Sequence, residues 1–391
     1  MQHLTLSALA VISTSTLAFA QTCGGQFDAF VSSLKTEAVT QGHAPSAVDQ
    51  FFRSVRQDPK VIRADRAQGI FQTPFIEFSR RLISQNRLNA GKRNGERYDD
   101  VFDRIEREFG VSRGVLLAFW AFETDFGAVQ GDFNTVNALV TLAHDCRRPE
   151  LFRPQVFAAL ELFERGELDP DTTTGAWAGE IGMVQMLPED ILVNGVDGDG
   201  DGKVSLKTSP ADALLSGGKM LSSLGWRKGE PWMQEVVLPD GFDWSQTGLG
   251  TWRKAQDWQT FGVRARSGQF ARPDLKSAIL LPQGRGGPAF LVYPNYNVFF
   301  EWNQSFIYVT TASYFATRLQ GADVFRAGNP ETGLSGDEMK ALQQKLSDRG
   351  YDVGGIDGIL GAKTRDAVQK EQARLGLPAD AWPTPELLNR L

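Results

Sequence analysis

Ser112–Gly127 reads S-R-G-V-L-L-A-F-W-A-F-E-T-D-F-G. Ser112 is of the type that caps a helix N-terminus, and Val115–Phe122 is an unbroken apolar run. The run is too short to cross a bilayer and suits a helix buried on all sides in a globular core. One carboxyl, Glu123, stands at its end before Gly127 offers a stop. A carboxyl at the tip of an apolar helix is costly to ionise, so its pKa is expected to rise, as a general acid at neutral pH requires. The same residues also fit a helix-end glutamate that points into water. The rest of the chain has to decide between these.

With 391 residues the chain is long enough for a sizeable core and more than one domain. A hydrophobic fraction of 41% and a charged fraction of 23% are those of an ordinary soluble protein. The net charge of −6 and scattered basic residues argue against nucleic acid and against an anionic membrane surface as partners. Residues 1–20 read as a signal peptide, with apolar Leu4–Ala10 and Leu17–Ala20, no acidic residue before Asp28, and a small-x-small Ala18-Phe19-Ala20 cleavage signature. This predicts export to the periplasm. Cys23 lacks the lipoprotein context, so no lipid anchor is expected, and no other stretch is apolar enough to span a membrane. Cys23 and Cys146 are the only cysteines, and in an exported chain they predict one disulfide, against the reading of two buried thiols.

From Phe27 to about Trp226 the apolar spacing is mostly helical. Within it, Gly175–Pro188 (G-A-W-A-G-E-I-G-M-V-Q-M-L-P) lets backbone approach a ligand closely, with Trp177 and Gln185 available for stacking and hydrogen bonding; it also fits a plain loop entering a helix. Asp197–Gly202 is D-G-D-G-D-G, with carboxylates at positions 1, 3 and 5 and glycine at 6 of an EF-hand-type calcium loop. Position 12 is Thr208, so Asp212, a few residues on, is the candidate to complete the shell; the alternative is a solvated turn. Strands are expected at Gln234–Leu238, Ala278–Pro282 and Ala289–Tyr293, and a helix at Trp302–Leu319. Trp252, Trp258, Tyr293, Tyr296, Trp302 and Tyr308 suit a sugar-binding cleft or a core. Residues 327–333 read as a linker. The tail, 334–391, reads as a small three-helix binding module opened by the capping box Ser335-Gly336-Asp337-Glu338.

A-F-E-T-D-F-G, G-E-I-G-M-V-Q-M-L-P, D-G-D-G-D-G and V-F-F-E-W-N-Q-S together resemble the B-type lytic murein transglycosylases, over about Cys23–Ala322. The tail, with G-Y-D-V-G-G-I-D-G-I-L-G-A-K-T-R-D-A-V-Q, resembles the type-1 peptidoglycan-binding domain. The resemblance implies a mainly α (α+β) protein: a lysozyme-like helical catalytic domain over 21–326 with a small β element, plus the C-terminal domain. It places the catalytic acid at Glu123, saccharide contacts at Gln185, Trp302, Asn303 and Tyr308, and calcium ligands at Asp197, Asp199, Asp201 and Asp212. The chain departs from the family at Glu180, where a small or apolar residue is usual. It departs again in the longer loop before Asp212, and at Glu371, which replaces an aromatic and suggests looser packing there.

Ordinary glycosidases set two carboxyls across the scissile bond. Asp125 lies about 200° round the helix from Glu123, on the opposite face. The resemblance implies a one-carboxyl reaction on peptidoglycan strands, cleaving between N-acetylmuramic acid and N-acetylglucosamine to leave a 1,6-anhydromuramoyl end. Rival readings are a water-using muramidase with Glu180 or Asp132 as second carboxylate, and a non-catalytic peptidoglycan-binding protein. His3, His43 and His144 share no metal-ligand spacing, which disfavours metallohydrolysis. No organic cofactor is expected, and a monomer is.

Overall fold

The computed structural model describes residues 23–67 and 72–391, so the leader read at 1–20 lies outside the described residues. The protein is mainly α, with a small antiparallel sheet. The apolar run forms the helix Arg113–Thr124, in which Gly114–Ala121 are all buried. It packs against Phe306–Leu319, which supplies Tyr308, Val309, Ala312, Phe315 and Ala316 to the same core. The two axes come close at Gly114, where a Cβ would stand 2.8 Å from the Ala316 carbonyl oxygen. Any larger residue would push the helices apart.

A second core lies on the other side, built by Phe27–Thr40, Pro45–Phe51, Thr135–His144 and Pro149–Glu164 together with the Gly-rich loop. Met183 and Trp302 pack against both cores and so mark the seam between them. Helix Pro210–Ser223 also bridges the seam, giving Ala213 to the second core and Leu214, Leu215 and Leu221 to the first.

The three expected strands are observed at Met233–Val237, Lys276–Leu280 and Ala289–Val292. The two-residue strands Arg253–Lys254 and Arg264–Ala265 extend them to five. Their period-2 alternation is buried on both faces. Ala278, Leu280, Phe290 and Val292 face the first core, whereas Ile279, Leu281, Leu291 and Tyr293 pack with Trp258 in a third. Trp258, Tyr293 and Tyr296 are fully buried core residues.

The sequence expectation of one helix over Trp302–Leu319 is corrected. Asn295–Trp302 is one helix and Phe306–Leu319 another. Asn303 turns extended (φ −148°, ψ 130°), its Oδ1 accepts the Ser305 N–H at 2.9 Å, and Ser305 Oγ accepts the Tyr308 N–H at 3.4 Å. These short polar side chains compete for backbone donors, ending one helix and capping the next.

The tail forms Gly336–Asp348, with its capping box in place, then Ala362–Arg374 and Pro385–Arg390 around their own apolar cluster. Packing at Glu371 is not loose: its carboxylate is buried, accepting from Arg374 and from the Tyr351 hydroxyl at 2.8 Å. The stretch read as a linker is packed rather than free, since Asn329 donates to Gly286 O at 2.7 Å and Trp382 Nε1 donates to Glu331 O at 2.9 Å.

Cys23 and Cys146 form the disulfide, with Cα atoms 5.1 Å apart and a sequence separation of 123. It fastens the N-terminal segment to the end of helix Thr135–His144. Closing a loop of that length restricts the unfolded chain strongly. Replacing both cysteines with serine is expected to lower unfolding free energy by roughly 2–5 kcal/mol. Chemical denaturation of the two proteins measures this directly.

Candidate active site

The Glu123 helix ends in an uncommon way. Asp125 (φ 50°), Phe126 (φ 61°) and Gly127 (φ 87°) follow one another in the left-handed region, so the chain reverses directly after the carboxyl. Asp125 N–H and Phe126 N–H satisfy the carbonyls of Ala121 and Trp120 at 3.0 and 3.1 Å. Thr124 Oγ1 accepts the Gly127 N–H at 2.9 Å and donates to Met183 O at 2.6 Å, which pins the Gly-rich loop to the residue beside Glu123. Arg87 holds Asp125 on the outer side at 3.0 Å. At the helix start Ser112 occupies the cap position, but its hydroxyl bonds to Gln320 rather than to the helix backbone.

Glu123 is half-buried at the seam. Its Oε1 accepts two side-chain hydrogen bonds, from Tyr308 Oη at 2.5 Å and from Trp302 Nε1 at 3.1 Å. Trp302 is itself stacked on Phe119, with ring centroids 4.4 Å apart. Burial raises the pKa of Glu123, and the Tyr308 and Trp302 donors oppose the rise by stabilising the anion. Because Oε1 already holds two donors, a proton on this carboxyl belongs on Oε2. The site therefore presents a carboxyl with Oε1 pinned by two donors and Oε2 as the oxygen left to carry a proton.

Sequence reading placed Tyr308 and Trp302 with the saccharide. The structure puts the polar atoms of both on Glu123. Tyr308, 9% exposed, is raised well above the ordinary tyrosine range by burial and by the adjacent carboxylate, so it remains a donor. Gln185, in the left-handed conformation (φ 55°), donates to Gly182 O at 2.8 Å and Gln130 O at 3.4 Å, which leaves its Oε1 to meet a ligand. Asn303 spends its Oδ1 on the helix break and keeps Nδ2. Asp132 is exposed and stands apart from this cluster of bonds.

Glu180 belongs to the site electrostatically. Its pKa is pushed up to about 7, first by burial and then by the Glu123 charge, with Arg148 pulling the other way. Its Oε2 is buried without a hydrogen-bond partner. The loop around it is tightly wound: a Cβ at Gly175 would lie 1.9 Å from the Glu180 carbonyl oxygen, so only glycine fits there. The sequence offers Glu180 as a carboxylate partner to Glu123, but the tie through Thr124 is not legible there. The only signal for Thr124 is its place directly after the glutamate.

Of the four aspartates read as metal ligands, Asp197, Asp199 and Asp212 bring carboxylate oxygens within 4.8 Å of one another, and Asp201 is outside that group. Asp212 is fully buried and accepts from the N–H groups of Gly198 (2.9 Å) and Ser205 (2.7 Å) and from Ser209 Oγ (2.9 Å). None of the three carboxylates is paired with a lysine or arginine among the described residues. Converging hard oxygens without a cationic partner fit a calcium-sized ion.

Residues 26–317 match the family described as Transglycosylase SLT domain, and 335–391 match Putative peptidoglycan binding domain. Membrane-bound lytic murein transglycosylase B of Escherichia coli K12 is 28% identical over 168 residues, which are 43% of this chain and 45% of that protein, so the match spans less than half of that curated relative. Among solved structures, SltB3 from Pseudomonas aeruginosa in complex with NAG-anhNAM-pentapeptide superposes with a TM-score of 0.85 at 33% identity, covering 94% of this chain and 99% of that one. SltB1 from Pseudomonas aeruginosa gives 0.65 at 25% identity over 75% of this chain and 99% of that one. Escherichia coli Slt35 in complex with calcium gives 0.65 at 21% identity, over 76% and 96%, a likeness of fold.

Tyr308→Phe removes the shorter donor to Oε1 and leaves the burial of Glu123 unchanged. Ionisation of the Glu123 carboxyl is expected to move to higher pH. Carbon-detected NMR titration of labelled glutamate reads the shift, and an unmoved or lowered midpoint would contradict the geometry.

Proposed function

The chain belongs to the SLT transglycosylase family, and from that premise we propose that it is a peptidoglycan lytic transglycosylase in which Glu123 is the catalytic acid and base. The observation that carries this reading is the single oxygen Oε1 held by Tyr308 and Trp302, with Oε2 left for the proton. Glu123 gives that proton to the glycosidic oxygen between N-acetylmuramic acid and N-acetylglucosamine, and the C1–O bond breaks. The carboxylate so formed meets two donors already in place, so no reorganisation is needed as charge develops. It then takes the proton of the muramic C6 hydroxyl as that oxygen closes onto C1. The product is a 1,6-anhydromuramoyl end, and Glu123 returns to its acid form. Proximity of the C6 hydroxyl replaces an activated water.

A water-using reaction needs a second carboxylate with room for water, about 6.5–9.5 Å away in an inverting enzyme. Glu180 is the candidate, but its unpartnered Oε2 is closed off from solvent and its burial favours the protonated form. This supports the one-carboxyl route. Gln185 Oε1 and Asn303 Nδ2 are the atoms best placed to orient the saccharide. The tail supplies a peptidoglycan-binding module, and the SltB3 complexes hold peptidoglycan fragments. The Cys23–Cys146 disulfide supports an oxidising compartment such as the periplasm. Among the described residues no helix is long and apolar enough to cross a membrane.

Calcium is proposed at Asp197, Asp199 and Asp212, where it would neutralise the converging carboxylates and stiffen the loop that starts helix Pro210–Ser223; it takes no part in the chemistry. Two experiments test these readings. Sacculi digested with wild type are expected to release anhydromuramoyl-ended fragments by mass spectrometry, and Glu123→Gln to fall by at least about 10²–10⁴-fold. Reducing ends would point to hydrolysis through Glu180, and no soluble product to a binding protein. Calcium at about 100-fold over its dissociation constant is expected to stabilise the fold by about 2.7 kcal/mol. Asp199→Ala should abolish that thermal shift; an equal shift in the variant would remove the site.

A further inference from the structure

The tail is docked on the catalytic body at a point that touches the acid's support. Gln369 Nε2 donates to Trp244 O and Thr247 O at 3.1 and 3.0 Å, and Asp380 Oδ2 accepts the Arg285 N–H at 3.0 Å. Between these contacts lies Arg365, on tail helix Ala362–Arg374. Its guanidinium carbon sits 4.2 Å from the centre of the Phe306 ring, while Nη2 and Nη1 donate to Pro282 O and Leu281 O at 2.6 and 3.4 Å. Its Nε is buried without a partner, and no carboxylate pairs with it among the described residues. Burial lowers its pKa to about 10. A buried cation spent on carbonyls and an aromatic face is a costly way to glue two surfaces, and an apolar side chain would do that as well.

What Arg365 grips explains the expense. Phe306 is the first residue of the helix that carries Tyr308, and it follows the Asn303–Ser305 break that sets Trp302 at the end of the preceding helix. Both donors to Glu123 therefore flank the residue that Arg365 clamps. We propose that Arg365 is a positioning residue for the acid: by stacking on Phe306 and anchoring to the Leu281–Pro282 carbonyls, it fixes the corner that holds Tyr308 and Trp302 on Glu123 Oε1. The tail is then part of the catalytic architecture as well as a module for binding the wall. The route is mechanical. Glu123 is faced by Tyr308, Trp302 and Glu180, with the Arg87–Asp125 pair beyond its helix end, whereas the titratable groups that act on Arg365 are Tyr296 and Asp380.

This inference rests on Glu123 being the catalytic acid. The test uses the full chain and a short soluble peptidoglycan glycan fragment, so that wall binding by the tail does not enter. Arg365→Met keeps the volume and loses the guanidinium. It is expected to lower kcat about tenfold with KM within about twofold, as a misplaced catalytic geometry does. It should also move the alkaline limb of the kcat–pH profile upward, because Glu123 loses the donor that favours its anion. Tyr308→Phe should move the limb the same way, and the double variant by less than the sum of the two single shifts, because Trp302 still depends on the clamp. Should Arg365→Met fail to fold, Arg365→Lys keeps the charge but not the flat stack, and carries the same expectations. An unmoved limb with unchanged kcat, a change in KM alone, or additive shifts in the double variant would overturn the proposal while leaving the acid in place. A wild type that does not turn over the fragment, or a Glu123→Gln variant as active as wild type, would remove the acid and the proposal with it.

Discussion

Everything at the centre of this molecule follows from burying one carboxyl at the end of an apolar helix. Taking Glu123 out of water raises the cost of its charged form, and two hydrogen bonds to Oε1 lower it again. Each charge-assisted bond is worth about 1.5–3 kcal/mol, the same order as the effective desolvation penalty of a partly buried carboxyl. Burial is the larger effect, so the carboxyl stays above its ordinary range while the donors temper the rise. In the proposed reaction, burial alone would hold the proton too tightly, and the donors alone would leave the group ionised before substrate arrived.

The balance demands donors from far along the chain. Trp302 and Tyr308 lie 179 and 185 residues after Glu123, and both must arrive at one oxygen from different directions. A single straight helix cannot do this, because residues six apart point about 240° from each other. The break at Asn303–Ser305 solves the geometry by ending one helix at the tryptophan and starting another just before the tyrosine. Gly114 then lets the second helix lie close enough against the first for the phenol to reach.

The parts legible in sequence were those written in local pattern. The apolar run, the Asp/Gly loop, the alternating strands and the capping box each carry their structural instruction within a dozen residues. The helix break was missed because W-N-Q-S-F contains neither glycine nor proline; its instruction lies in which backbone N–H groups Asn303 and Ser305 capture. The bonds of Trp302 and Tyr308 to Glu123 are not legible for a related reason. An aromatic with a polar tip fits a sugar cleft or a buried donor equally well, and only tertiary packing chooses. Glu371 shows the reverse case, a charge at an apolar position made tolerable by Arg374 and Tyr351 that no local pattern announces.

The seam between the two cores gives the more distant features a common purpose. Glu123 and Thr124 stand on one wall of it, and Met183 and Trp302 touch both. A hydrogen bond weakens steeply with distance and angle, so any slippage of one core against the other would separate Glu123 from its donors. Helix Pro210–Ser223 crosses the seam, passing Leu116 and Trp302 at Gly217, and its first turn is fastened through Asp212 to the Asp/Gly loop. A cation held there would brace the crossing helix without approaching the reacting atoms. The tail acts on the other flank through Phe306, and Thr124 ties the Gly-rich loop across the middle. The disulfide secures the second core, while the crossing helix and Thr124 tie the seam and the tail braces its flank, all around the position of a single oxygen.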